Sequence, residues 1–158
     1  MKTLNNLFAV ASLFALLSFG ACKEDTPDGG TDEVPGQSLE ATWAVTDASN
    51  VSGPAADQFT GFSITINASA SGVTYTTSGG GDPLVFPAQG TLIVEPSDDF
   101  DAGAEVLREP DNVPMTINLS QDGDVMDIDF TIDVGVNARV AGINGEYSFT
   151  LNRQGSTN

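Results

Sequence analysis

Residues 126–134, Met-Asp-Ile-Asp-Phe-Thr-Ile-Asp-Val, decide the fold class of this chain. Apolar side chains occupy every second position from Met126 to Val134, and Asp or Thr fills the positions between them. A period of two is typical of a β-strand with one buried and one solvated face. The preceding Asp122-Gly123 pair predicts a tight hairpin, so the strand before it should run antiparallel.

The same alternation recurs on both sides of this strand. Further strands are predicted at residues 43–45, 62–66, 73–77, 84–86, 90–95, 115–119 and 147–151. Residues 59–61 and the acidic stretch 96–110 are predicted loops. About eight strands with regular turn signals predict an all-β antiparallel meander. Because its apolar face must be covered, the meander forms either a small barrel or a β-sandwich, and both remain open.

Residues 1–21 predict a signal peptide, with a positive Lys2 and an apolar stretch at 7–17. Together with Cys22, this stretch resembles a bacterial lipoprotein signal, in which the cysteine receives a diacylglyceryl group and begins the mature chain. Phe19 stands where these signals usually have Leu. The alternative is a plain secretory leader with an incidental cysteine.

Residues 22–37 are rich in Gly, Pro and acidic side chains, and they predict a flexible acidic tether. Its opening, Lys23-Glu24-Asp25, resembles the export signal of Bacteroidota surface lipoproteins, a lysine followed by two acids. This resemblance implies an outer-membrane protein that faces the cell exterior; the alternative is an ordinary solvated linker. The folded domain is predicted at residues 38–158.

The charge balance restricts the partners. The chain has 22 Asp and Glu against 5 Lys and Arg, and loss of Lys2 with the leader leaves 4 basic residues and a net charge of −18. Such a chain lacks the basic surface that nucleic-acid binding requires. Attachment to a membrane should therefore depend on acyl chains. The acidity fits either a salt-tolerant surface or divalent-cation binding, and its scattered distribution favours the first.

The chain has no histidine and one cysteine, which excludes imidazole catalysis, disulfides and the usual zinc sites. A glycosidase needs only two carboxylates. Glu40 and Glu146, beside strand aromatics, are the only acids considered for such a pair. We predict a non-enzyme with no cofactor and no metal centre.

Asp127, Asp129 and Asp133 follow the outward side of the central strand, where positions two apart, such as Asp127 and Asp129, lie about 6.5–7 Å apart at the backbone. With Asp122 and Asp124 they are a candidate Ca²⁺ site, but a solvated strand face is the favoured interpretation.

Other polar segments are interpreted as turns. The acidic loop 97–105 lacks EF-hand spacing, and Phe100 within it either anchors the loop to the core or is an exposed contact. The glycine-rich run 78–82 is interpreted as a mobile turn and not as a phosphate-binding loop, because no helix or lysine follows it. Three aromatic residues are predicted core, with a ligand site as the alternative: Trp43, Tyr75 and Tyr147.

Three short runs carry a further resemblance: 39–43 (Leu-Glu-Ala-Thr-Trp), 90–92 (Gly-Thr-Leu) and 145–149 (Gly-Glu-Tyr-Ser-Phe). On these runs residues 38–153 resemble the lipocalin-like domains of Bacteroidota lipoproteins, although Ala41 stands where lipocalins usually have Gly. The resemblance implies no particular ligand.

The resemblance to lipocalin-like domains does imply a barrel closed near Trp43, with Arg153 packed over the indole ring. The leading prediction is an outer-membrane lipoprotein with a non-catalytic domain for binding, or an accessory subunit of an outer-membrane complex. The alternative is a lipocalin-type carrier of a small apolar ligand. Bulky inward side chains favour a filled core over a carrier cavity: Phe62, Ile64, Met126, Phe130 and Phe149.

Overall fold

The computed structural model describes residues 34–135 and 141–155. The predicted signal peptide and most of the predicted tether lie outside the described residues, as do the lipid-attachment and export residues Cys22, Lys23, Glu24 and Asp25. Within the described ranges, no helix is long and apolar enough to cross a membrane.

The described residues form nine strands joined by turns and short 3₁₀ helices. The strands are β1 Ala41–Ala44, β2 Val51–Ser52, β3 Ser63–Ser69, β4 Gly72–Ser78, β5 Gln89–Ile93, β6 Ala104–Glu109, β7 Val113–Leu119, β8 Val125–Ile132 and β9 Gly145–Arg153. The 3₁₀ helices are η1 Gln37–Leu39, η2 Ala48–Asn50, η3 Ala56–Phe59 and η4 Ala141–Ile143.

Eight of the strands close into an antiparallel barrel. Strands β3 to β9 pair in sequence order, and β1 pairs with both β3 and β9. The pairs Trp43–Arg153 and Ala44–Asn152 complete the circle. The predicted all-β antiparallel meander is therefore confirmed, and of the two architectures left open the chain forms the barrel. Closure gives each barrel strand a partner on both sides, which removes free sheet edges.

Strand β2, which the sequence pattern did not predict, continues β1 along the same edge of β9. Ala44 opposes Asn152 and Val51 opposes Phe149, so the six residues 45–50 on one side face the two residues 150–151 on the other. The extra residues, which include η2, bulge out of the sheet between β1 and β2. A strand of only two residues is too short to show a period in the sequence.

The core lies inside the barrel and follows the predicted alternation. On β8, Met126, Ile128, Phe130 and Ile132 are all buried, whereas Asp129 points outward and is exposed. Full burial of one such apolar side chain stabilises the fold by about 1.5–3 kcal/mol. The inward faces of the other strands add their own apolar side chains, so this burial is the main source of stability.

The predicted loop 96–110 is wrong in its second half, because residues Ala104–Glu109 form β6. Its inward positions are Ala104, Val106 and Arg108, all buried. The arginine at the third inward position conceals the apolar period in the sequence.

The predicted strand 84–86 is also wrong, because these residues form a turn. The amides of Val85 and Phe86 both bond to the carbonyl of Asp82 instead of to a neighbouring strand, at 2.9 Å each. The side chains of Val85 and Phe86 are buried, which explains why the run is apolar.

The two ends of the barrel are built from different connections. The Trp43 end is formed by η1, the β3–β4 and β7–β8 turns and the β5–β6 loop. The Arg108 end is formed by residues 45–62, the β4–β5 connection 79–88, the turn 110–112 and the described residues 133–135 and 141–144.

Candidate functional site

At the Trp43 end, η1 closes the barrel. Leu39 and Trp43 are fully buried, and the Trp43 indole Nε1–H donates to the Leu39 carbonyl at 2.9 Å. The Arg153 guanidinium carbon lies 5.0 Å from the Trp43 ring centroid, and its Nη2 donates to the Ser38 carbonyl at 3.0 Å. The expected closed end and the expected position of Arg153 are both confirmed.

At the Arg108 end, a segment of the chain enters the barrel. Residues 82–86, the plug segment, place the side chains of Val85 and Phe86 in the interior, where they are 0% and 3% exposed. The Phe86 ring makes edge-on contacts at centroid distances of 5.5 Å to Phe62 and 5.7 Å to Phe130. The interior at this end is therefore filled by the protein's own aromatic side chains.

Arg108 holds the plug segment from the opposite wall. Its side chain is 0% exposed, and its Nη2 donates to the Val85 carbonyl at 2.9 Å. Nε and Nη2 also donate to the two carboxylate oxygens of Asp111, at 3.1 and 2.7 Å. The guanidinium carbon lies 4.4 Å from the Phe86 ring centroid and 5.0 Å from that of Phe130. One buried cation thus joins the plug segment, strand β6 and the following turn.

Two polar atoms at this end have no hydrogen-bond partner among the described residues: Nη1 of Arg108 and the hydroxyl of Tyr75. Burial raises the pKa of Tyr75 to about 12, although the nearby Arg108 charge acts in the opposite direction. The phenol therefore keeps its proton at neutral pH and remains a hydrogen-bond donor. Unpaired buried donors are rare in native proteins, and each one needs an explanation.

The glycine-rich run 78–82 is packed against the connection that contains η3. The Gly81 amide donates to the Gln58 carbonyl at 2.8 Å. Gly79 has a φ of +84°, and a Cβ at this position would lie 1.9 Å from the Gly61 carbonyl oxygen. Only glycine fits such an approach. The run interpreted as a mobile turn is thus in close contact with a second segment of the Arg108 end.

The three aromatic residues weighed as ligand contacts are core residues, as predicted. Trp43, Tyr75 and Tyr147 are at most 2% exposed. The Tyr147 hydroxyl donates to the Ile143 carbonyl at 2.9 Å, and burial raises the pKa of this tyrosine. Tyr75 alone among the three has a polar atom without a partner.

The acidic stripe on β8 is a solvated face, as favoured. Asp129 and Asp133 are exposed, and Asp127 accepts a hydrogen bond of 2.6 Å from the Thr150 hydroxyl. Asp122 lies in the β7–β8 turn, where the Ser120 hydroxyl and the Asp124 amide donate to it and lower its pKa. Across the described part of the chain, no three acidic side chains converge on a cation position.

The acidic loop before β6 forms local turns. Asp98 and Asp99 accept backbone N–H bonds within the loop. Phe100 is 5% exposed, so it anchors the loop to the core. The two acids considered for a catalytic pair, Glu40 and Glu146, are exposed and lie at opposite ends of the barrel.

An open groove of about 600 Å³ crosses the outer face of β6 to β9. Its polar lining includes Glu105, Thr116, Asp129 and Ser148, which the strand register places in one row. This row comes from four separate strands, so no single sequence motif indicates it.

Sequence reasoning also missed Arg108 and Asp111. The one available signal was the inward position of Arg108, two residues after the apolar Val106, with an acid three residues later. The chain matches no family model, no curated protein and no solved structure. Its function must therefore be inferred from its own geometry.

Proposed function

We propose that the chain is an outer-membrane lipoprotein, anchored at Cys22 and facing the cell exterior, whose non-catalytic barrel binds a partner through its outer surface. The anchor rests on the signal pattern of residues 1–21 and on Lys23-Glu24-Asp25. The binding role belongs to the barrel domain, which begins after the predicted tether.

The filled interior of the barrel is the observation that supports binding through the outer surface. The inward residues that separate a solid core from a carrier cavity are all at most 5% exposed: Phe62, Ile64, Met126, Phe130 and Phe149. The plug segment occupies the Arg108 end, and η1 closes the Trp43 end. A barrel filled in this way offers its outer face and its end loops to a partner, as expected of an accessory subunit of an outer-membrane complex.

The anchor is tested by Cys22→Ser in the native host. Wild type should remain in the outer-membrane fraction, and protease added to intact cells should remove the barrel domain. The variant should lose the lipid and leave the membrane fraction. A variant that stays in the membrane, or a wild-type domain protected from protease until cells are lysed, contradicts the anchored, outward-facing arrangement.

The partner is tested by recovery of tagged wild type from solubilised outer membrane. The outer groove is probed with the double variant Glu105→Lys and Asp129→Lys. The double variant Glu40→Lys and Asp57→Lys is the matched control, because it changes the charge equally at two exposed acids that do not line the groove. We expect a stoichiometric partner with wild type and the control, and less of it with the groove variant. Recovery of no partner with wild type contradicts the accessory role.

A carrier of a small apolar ligand is the second candidate. The filled interior counts against it, because the plug segment and the aromatic side chains occupy the space that such a ligand would need.

A further inference from the structure

A proline interrupts the barrel wall beneath the outer groove. Pro114 lines the groove and belongs to β7, which has β6 on one side and β8 on the other. The pairing of β7 with β8 ends at Met115 and Phe130, one pair before Pro114, although β8 continues to Ile132. A proline has no N–H and cannot donate to a neighbouring strand, so it is rare inside a sheet. The ladder is therefore incomplete at this position.

The missing bond leaves one carbonyl group without its ladder donor. The Ser120 amide donates to the Val125 carbonyl, which the register places opposite it. Hydrogen-bonded pairs alternate with non-hydrogen-bonded pairs along an antiparallel ladder. Every second pair from there is thus of the hydrogen-bonded kind, and this series reaches Pro114 opposite Thr131. The Thr131 carbonyl faces the proline nitrogen, so it needs a donor that β7 does not supply.

Acidic side chains surround this carbonyl on the outer face. Glu146 stands opposite Thr131 on β9, about 4.5–5.5 Å away at the Cα atoms. Asp129 lies two positions earlier on β8, about 6.5–7 Å away. Glu105 lies on β6, in the row that leads through Thr116 to Asp129. The three acids are exposed and line the groove together with Thr131. The groove therefore combines an unpaired carbonyl with three carboxylates.

The described residues provide no cation for these carboxylates. Within residues 34–135 and 141–155 the basic side chains are Arg108 and Arg153, and neither lines the groove. Arg108 is fully buried and paired with Asp111, and Arg153 packs over Trp43. Neighbouring like charges repel each other, so a positively charged group from another molecule would stabilise this surface.

We propose that the outer groove binds a lysine side chain from a basic segment of the partner protein. An ammonium group has three N–H donors that are not confined to one plane. It therefore suits acceptors on three separate residues, the Thr131 carbonyl and the carboxylates of Asp129 and Glu146. The planar donors of an arginine fit a single carboxylate better. The inference rests on the proposed function and specifies the chemistry of the partner.

Glu105 extends the site across the sheet. It lies two strands away from Asp129, which corresponds to about 9.5 Å. Three residues of an extended chain span about 10 Å. A segment with lysines three residues apart can therefore place one ammonium group beside Thr131 and the next beside Glu105.

The test uses the full-length chain in phosphatidylcholine nanodiscs and a dye-labelled peptide of four Lys-Gly-Gly repeats. The same peptide with acetylated lysines is the neutral counterpart. Binding is measured by fluorescence anisotropy at constant ionic strength, and binding to empty nanodiscs is subtracted. We expect saturable binding of the lysine peptide and little binding of the acetylated one. Pro114→Ala supplies the missing N–H without a change of charge, so it should weaken binding at least about threefold.

Matched double variants separate the groove from the general negative charge of the chain. Asp129→Asn with Glu146→Gln removes two groove carboxylates and should weaken peptide binding at least about tenfold. Glu40→Gln with Asp57→Asn removes the same charge outside the groove and should weaken it less than about twofold. Equal losses for the two double variants would overturn the lysine site. Unchanged affinity of a folded Pro114→Ala variant would overturn it as well.

The lysine site and the accessory role can fail separately. A partner that is recovered with wild type and lost from the groove variant, while the lysine peptide does not bind, would overturn the lysine site and leave the proposed function intact. Groove-dependent peptide binding without any recovered partner would support the lysine site and contradict the accessory role alone.

Discussion

Both ends of the barrel place an arginine against an aromatic ring, but they do so under different conditions. At the Trp43 end, Arg153 lies partly at the surface over the indole and donates to a backbone carbonyl. At the Arg108 end, the guanidinium is fully buried, paired with Asp111 and bonded to the plug segment. The first arginine can be stabilised by water on its exposed side, whereas the second depends on protein groups.

This difference indicates which end is specialised. The Trp43 end pairs the indole N–H with a nearby carbonyl, but the Nε of Arg153 is buried there without a partner among the described residues. The Arg108 end buries an ion pair, two unpaired donors and a segment that is not part of the sheet. The Arg108 end therefore contains more buried polar groups, although each end has at least one buried donor without a partner among the described residues.

The plug segment should tolerate loss of its exposed apolar residue but not of its buried one. Phe86→Ala removes a ring that contacts four other aromatics, so it should lower the free energy of unfolding by about 3–5 kcal/mol. Leu84→Ala, at a position 52% exposed, should change it by less than about 0.5 kcal/mol. Urea denaturation measures both. Similar losses for the two variants would mean that Phe86 does not hold the segment in the barrel.

Replacement of Arg108 should lower the free energy of unfolding more than replacement of Arg153. Arg108→Ala breaks a buried ion pair and leaves the Val85 carbonyl without its donor, so we expect a loss of about 3 kcal/mol. Arg153→Ala removes a partly exposed contact with Trp43, for which about 1 kcal/mol is expected. Thermal unfolding of both variants tests the comparison. Equal losses would show that the two ends use their arginines alike.

The Arg108 end should also make stability sensitive to alkaline pH. The pKa of Tyr75 is 10.0 in a model compound and about 12 in the fold, so the folded state retains its proton longer. The stabilisation is complete below pH 10 and is lost as the pH rises toward 12. The free energy of unfolding should therefore fall by about 2 kcal/mol over this range. In denaturation measured as a function of pH, Tyr75→Phe should show a smaller decrease in the free energy of unfolding. A decrease equal to that of wild type would mean that other groups cause the pH dependence.

The smallest predicted effect is the difference in stability between variants of the two buried tyrosines at neutral pH. Tyr147→Phe removes the donor to the Ile143 carbonyl and should cost about 1 kcal/mol. Tyr75→Phe removes a hydroxyl without a partner, so the free energy of unfolding should stay the same or rise slightly. Calorimetric melting of the two variants decides between these outcomes. A clear loss for Tyr75→Phe would mean that its hydroxyl has a partner in solution.

Most strands could be predicted from the sequence, because a strand with one solvated face shows alternating polar and apolar residues. The alternation on β8, its hairpin with β7 and the inward positions of Trp43, Tyr75 and Tyr147 all followed from local pattern. Barrel closure did not follow, because it depends on the pairing of Trp43 with Arg153 at opposite ends of the domain. Alternation alone is the same for a barrel and a sandwich.

The Arg108 end was the part least accessible from sequence. An apolar run of three residues is equally compatible with a buried strand and with a buried turn, and at residues 84–86 the tertiary contacts with Arg108 and the aromatic core favour the turn. Arg108 itself interrupts the apolar period of β6. The site is formed where the local pattern fails, which is where functional or strained residues are expected.

The short pairing that closes the barrel also determines how the domain would resist mechanical force. β1 is held by four residue pairs to β3 and two to β9, and the chain enters it through η1. Tension transmitted through η1 and directed along β1 would load the cross-strand hydrogen bonds of this strand in parallel. The cross-strand hydrogen bonds of β1 would then be sheared together instead of broken one at a time. Under the proposed surface anchoring, the rate of this forced rupture is a more relevant measure than equilibrium stability.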